Sequence, residues 1–177
     1  MPVRKILLLG NPRLYETSNP VERSEVEELA AVFEDLHDTM LEFQRRHGWG
    51  RAIAAPQIGV QRRIVCMNVD RPLTFINPVL DQHGEETREF WEDCMSFPEL
   101  LVRLRNPISC RLTYREPNWT LRRVDLTGDL AELLQHEVDH LDGVLSVQRA
   151  IDDKSVVLRR AMPAKARALD GAFTFTD

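Results

Sequence analysis

Two histidines four residues apart, His136 and His140, with Glu137 directly after the first, constrain this chain more than any other feature. Residues i and i+4 are neighbours on one face of a helix, so both imidazoles can reach a single metal ion while Glu137 projects toward its open coordination position. That is the geometry of a metal-activated water. HExxH also arises by chance in helices, so its surroundings decide its weight. Asp129-Leu130-Ala131-Glu132 reads as a capping box, Leu130, Leu133, Leu134 and Leu141 supply an apolar face, and Gly143 stands where a helix end needs a residue free to turn left-handed. The motif is therefore expected on a delimited, largely buried helix.

Two further segments make the pattern specific. Glu92-Asp93-Cys94-Met95-Ser96 offers a thiol upstream of the histidines, and Gly50-Arg51-Ala52-Ile53-Ala54-Ala55-Pro56-Gln57-Ile58-Gly59 is a run of small residues that includes an amide side chain. In this order and at these intervals they resemble the three signature segments of the peptide deformylases, GxGLAAPQ, EGCLS and QHExDHL. The third matches at every stated position. Gly10-Asn11-Pro12-Arg13-Leu14, Asn19-Pro20-Val21 and Phe75-Ile76-Asn77-Pro78 are similar to the family's entry segment and central strand, so the resemblance runs from roughly residue 5 to residue 150.

The resemblance implies an α+β fold of short antiparallel or mixed strands packed around a central metal-binding helix, with a long N-terminal helix. It implies a hydrolase that removes the formyl group from the N-terminal methionine of newly made polypeptides and releases formate. Cys94, His136 and His140 would then hold one divalent ion, Fe2+ foremost, with Zn2+, Ni2+ or Co2+ as replacements. Three protein ligands leave the fourth tetrahedral position for water, as a catalytic rather than a structural site requires. Glu137 would act as general base and then acid toward a metal-generated hydroxide, and the Gln57 amide and Met95 backbone N–H would serve the developing oxyanion. Glu92 is expected to brace the Cys94 loop, and Asp139 to bond a ligand imidazole or a nearby arginine.

Composition limits the alternatives. A chain of 177 residues with 28 acidic and 23 basic side chains has a formal charge of -5, which gives no basic footprint for DNA. Ribosome association would have to use a local patch such as residues 154 to 167. No apolar run approaches the ~20 residues of a membrane span, and Met1-Pro2-Val3-Arg4-Lys5 lacks the character of a signal peptide, so a cytoplasmic protein is expected. Three cysteines in a reducing compartment argue against disulfides; Cys66 and Cys110, in apolar strand-like surroundings, read as buried small hydrophobes.

Along the chain, Ser24-Glu25-Val26-Glu27 reads as a capping box opening a helix whose Leu29, Phe33, Leu36, Met40 and Phe43 recur at helical spacing up to Gly48. This helix is expected to pack against the sheet and the metal helix. Residues 64–69, 73–76, 100–104, 108–114 and 120–124 read as short strands. One catalytic domain is expected over residues 1–150, with 151–177 as a peripheral helix and tail of the same domain.

The chain departs from the deformylase pattern at the substrate cleft. Arg51 and Ala52 replace an aliphatic residue and a glycine, Asp93 replaces a glycine, and Asp129 stands where a bulky apolar residue is usual near the first side-chain pocket. With Ile53 these are the candidate substrate-contacting residues, and Arg51 and Asp93 are expected to pair. The departures raise a second reading, hydrolysis of another small N-formyl or N-acyl amine. A catalytically silent metal-binding paralogue is a third reading, but it would have no physical need to retain Glu137. A general HExxH protease would take its third ligand from a later His or Glu rather than an earlier cysteine.

Overall fold

A computed structural model describes residues 3–162. The apolar stripe read from the sequence forms α1, Ala30–His47, which buries Phe33, Leu36, Met40 and Phe43 and ends on the left-handed Gly48. Its start lies later than expected. The reciprocal cap is formed by Glu22 and Glu25 around a 3-10 turn at Arg23–Glu25, where Glu25 also pairs with Arg62, and the α-helix begins only at Ala30.

Among the described residues eight strands follow the expected α+β plan, and every strand pair is antiparallel. β1 (Ala52–Ala54), β2 (Ile64–Asn68), β3 (Pro72–Asp81), β6 (Ser109–Arg115) and β7 (Leu121–Thr127) form one five-stranded sheet in the order β1-β2-β3-β6-β7. β4 (Thr87–Glu92), β5 (Leu100–Pro107) and β8 (Val156–Leu158) form a second sheet in the order β4-β5-β8. β8 lies where a peripheral helix was expected: Val156–Leu158 pair with Leu100–Val102, followed by a 3-10 turn at Arg159–Ala161. The rest of the expected tail lies outside the described residues.

Successive strand residues point to opposite faces, and this alternation divides the core. Ala52, Ala54, Val65, Met67 and Phe75 join the second helix, α2 (Gly128–Leu141), through its Ala131, Leu134 and Leu141. Ile53, Ile64, Cys66 and Ile76 join α1 on the other side. The expected packing of α1 on the metal helix is thus replaced by packing of the two helices on opposite faces of the large sheet. β3 bends at a register shift between Ile76 and Val79. There Asn77 adopts φ +52°, tolerable for Asn, and both accepts from the Val21 N–H and donates to the Val21 carbonyl, each at 2.8 Å.

Candidate metal centre and cavity

α2 presents its histidines as the spacing requires. His136 and His140 are 8% and 1% exposed, and their Nε2 atoms converge to 3.1 Å. Cys94, in the loop between β4 and β5, brings Sγ to 3.2 Å from His140 Nε2. All three ligand atoms lie within 4.8 Å of one another. Metal–ligand bonds of about 2.0–2.3 Å in tetrahedral geometry separate ligand atoms by roughly 3.3–3.7 Å, close to the spacing seen here. A soft sulfur and two imidazole nitrogens turning their lone pairs toward one point suit a borderline divalent cation.

The two imidazoles are shifted in opposite directions. Burial opposes a charged His136, yet Glu92 and Cys94 together outweigh it and hold the imidazole well above its usual range; His140 is pushed well below, by burial first and then by His136. Glu92 Oε2 sits 2.9 Å from His136 Nδ1. The carboxylate that ends β4 therefore orients a ligand imidazole, where sequence reasoning had it bracing the Cys94 loop. Asp139 turns off the ligand face, and Arg149 Nη2 donates to it at 2.6 Å, one of its two expected partners.

Gln57 is directed into the site by its own backbone neighbourhood. Ala54 N–H donates to Gln57 Oε1 at 2.9 Å, which fixes the carbonyl end of the amide and aims Nε2 at Ser96 Oγ (3.2 Å) and Cys94 Sγ (3.6 Å). Ser96 N–H also donates to Cys94 Sγ at 3.4 Å. Glu137 is 3% exposed, and its Oε2 is buried without a hydrogen-bond partner among the described residues. Burial pushes its carboxyl up to about 7, with His136 opposing and Glu92 reinforcing the shift. A carboxyl so placed exchanges protons near neutrality.

These residues open onto a cavity of about 620 Å³. Gln57, Cys94, Met95, His136 and Glu137 line it, as do Arg51, Ala52, Asp93 and Asp129. Ile53 does not. It is fully buried on the α1 side of β1, because its neighbours Ala52 and Ala54 take the other face. Asp93 accepts from Arg159 Nη2 at 2.9 Å, and burial lowers the Arg51 pKa while the charges of Asp93, Asp129 and Glu132 oppose that shift. Asp129 is not a helix cap. Thr127 holds that position, and Asp129, inside the first turn, accepts from Arg88 Nη2 at 2.6 Å. Sequence reasoning also missed Glu132 as a cavity residue. Buried and bonded to Arg88 Nε at 2.7 Å, it lies one turn before His136, and the spacing Glu132, His136, His140 already put it on the ligand face.

The polypeptide deformylase family model matches residues 3–156. The chain belongs to this family. Relatives in it include peptide deformylase 1 of Prochlorococcus marinus, 37% identical and covering 88% of this chain and 84% of that protein, and the peptide deformylase of Pelagibacter ubique, 32% identical over 96% and 99%. Among solved deformylase structures, that from Thermotoga maritima superposes with a TM-score of 0.79 at 31% identity, covering 86% of this chain and 100% of that one. The Synechococcus elongatus peptide deformylase, solved in complex with actinonin, gives 0.79 at 28% identity over 86% and 81%. Deformylases are metallohydrolases acting on formylated peptides, and the Cys94, His136 and His140 cluster is a candidate site for the metal. No helix among the described residues is long and apolar enough to cross a membrane.

Proposed function

We propose that this deformylase removes the formyl group from the N-terminal methionine of newly made polypeptides in the cytoplasm. The observation that carries the reading is the convergence of Cys94, His136 and His140 beside the buried, unpartnered Glu137 carboxylate. Fe2+ is the ion proposed, with Zn2+, Ni2+ or Co2+ able to replace it. Bound by these three residues, a divalent ion supplies Lewis acidity that lowers the pKa of water and polarises a carbonyl oxygen.

The chain's own groups divide the remaining work. Glu137 takes the proton of the attacking water and delivers it to the amine nitrogen as the C–N bond breaks, so that formate and a free N-terminus leave. Gln57 Nε2, aimed by the Ala54 N–H, donates to the carbonyl oxygen as it gains charge, together with the Met95 backbone N–H. Glu92 keeps His136 in its ligating orientation. Arg51, Ala52, Asp93 and Asp129, all lining the cavity, contact the substrate. Transient docking at the ribosome would use Lys154 and Arg160 with residues beyond 162.

Formate release by metal-reconstituted protein tests the reading. Formyl-Met peptides should be cleaved, and with higher kcat/KM than small N-formyl amines; a reversed order would overturn it.

A further inference from the structure

Arg159, immediately after β8, reaches three separate parts of the cavity surround. Its Nη2 donates to Asp93 Oδ2 at 2.9 Å, its Nε donates to the Pro98 carbonyl at 2.9 Å, and its guanidinium carbon stands 4.1 Å over the Trp49 ring. Its backbone N–H donates to the Glu99 carbonyl at 2.7 Å. Asp93 and Trp49 both line the cavity, yet they belong to segments far apart in sequence. The Arg159 and Asp93 side chains are only 16% and 17% exposed. A planar guanidinium can donate along its edge while stacking its face on an indole, which an ammonium cannot do.

We propose that Arg159 is a positioning residue that fixes the mouth of the cavity by tying Trp49 and the Asp93–Glu99 segment to β8; this rests on the deformylase reading above. Asp93 stands where the family's second signature carries glycine, so this chain has placed a carboxylate beside the substrate path. Arg159 holds that carboxylate by a 2.9 Å hydrogen bond and offsets its charge. The Cys94 thiol has its own anchors, Ser96 N–H and Gln57 Nε2, so metal retention does not depend on Arg159. The effect belongs to substrate binding. Loss of Arg159 takes from Asp93 its hydrogen-bonded cation and from Trp49 the cation on its ring face, leaving Trp49 its edge contact with Phe43.

The test compares Arg159→Met, Arg159→Lys and the double variant Asp93→Gly/Arg159→Met with the parent, each loaded with one metal per chain. Arg159→Met should raise KM for a formyl-Met peptide about tenfold and change kcat by less than about threefold, the loss of a charged hydrogen bond used only in positioning. Arg159→Lys should rescue KM only in part. Removing Asp93 as well should recover part of the loss in KM, because the carboxylate that lost its hydrogen-bonded cation is gone. Hydrogen exchange of residues 93–99 should quicken in Arg159→Met whether or not substrate turns over. Unchanged KM with unchanged exchange overturns the proposal, as does a fall in kcat accompanied by metal loss. If the parent releases no formate, the deformylase reading fails, and exchange at residues 93–99 alone decides whether the tie exists. Should Arg159→Met not fold, Arg159→Lys carries the same measurements, and a KM and exchange equal to the parent's would again overturn it.

Discussion

Glu137 carries an oxygen that is both buried and unpartnered, in a cavity wall next to a ligand histidine. Burying such a group without a bond is costly, and the cost is recovered only if something in the cavity engages it. Glu137→Gln keeps the shape and removes the proton acceptor. Turnover should fall by about 10²–10⁴ while one metal per chain is retained, and near-normal activity in the loaded variant would remove the general-base role. Cys94 can be separated from the other two thiols in the same way. Burial pushes Cys66 up to about 12 and Cys110 up to about 11, as expected of packing thiols. Cys94→Ser should therefore lose metal on gel filtration, while Cys66→Ala and Cys110→Ala keep it; equal loss from all three would contradict the ligand set. Site residues were legible in the sequence where local spacing determines geometry, as with His136, Glu137 and His140. Asp129 was misjudged because its partner, Arg88, comes from elsewhere in the chain.

At the scale of elements, the clearest reading was Gly143. α2 ends at Leu141, and Gly143 takes φ +73°, the left-handed turn expected at that position. A Cβ there would lie 2.5 Å from the Tyr15 carbonyl oxygen, so conformational strain is joined by a backbone clash. Gly128, at φ +57°, has nothing within 4 Å of its would-be Cβ. Thermal melts should therefore show Gly143→Ala destabilised by roughly 2–4 kcal/mol and Gly128→Ala by only about 1–2, the cost of a left-handed alanine alone. Equal losses would mean that the entry segment around Tyr15 yields freely. The strands escaped notice where they carry little pattern. β1 is three residues of Ala-Ile-Ala, β8 is three residues long, and β4 reads Thr-Arg-Glu-Phe-Trp-Glu, with its first three residues exposed and no alternation. Such strands exist because a neighbour supplies their hydrogen bonds, the next strand in the chain for β1 and β4 and the remote β5 for β8.

At the scale of the whole molecule, the three candidate ligands arrive from two structural units. His136 and His140 stand on α2, whose apolar face packs on the five-stranded sheet, whereas Cys94 follows β4 of the three-stranded sheet. An ion held by all three joins the two sheets through one point, so metal binding adds to folding stability as well as to chemistry. A ligand that binds only the native state stabilises it by RT ln(1 + [L]/Kd), about 2.7 kcal/mol when the free ion is at 100 times its Kd. For a chain of this size that corresponds to a Tm rise of roughly 5–10 °C. Chelation should lower Tm by this amount and abolish formate release together, and adding Ni2+ or Co2+ should restore both. Cys94→Ser severs the link between the sheets while leaving both histidines in place, so its Tm should become nearly insensitive to chelator. A parent protein whose Tm ignores chelator while its activity vanishes would show that the two sheets are held by packing alone, and that the ion serves only the reaction.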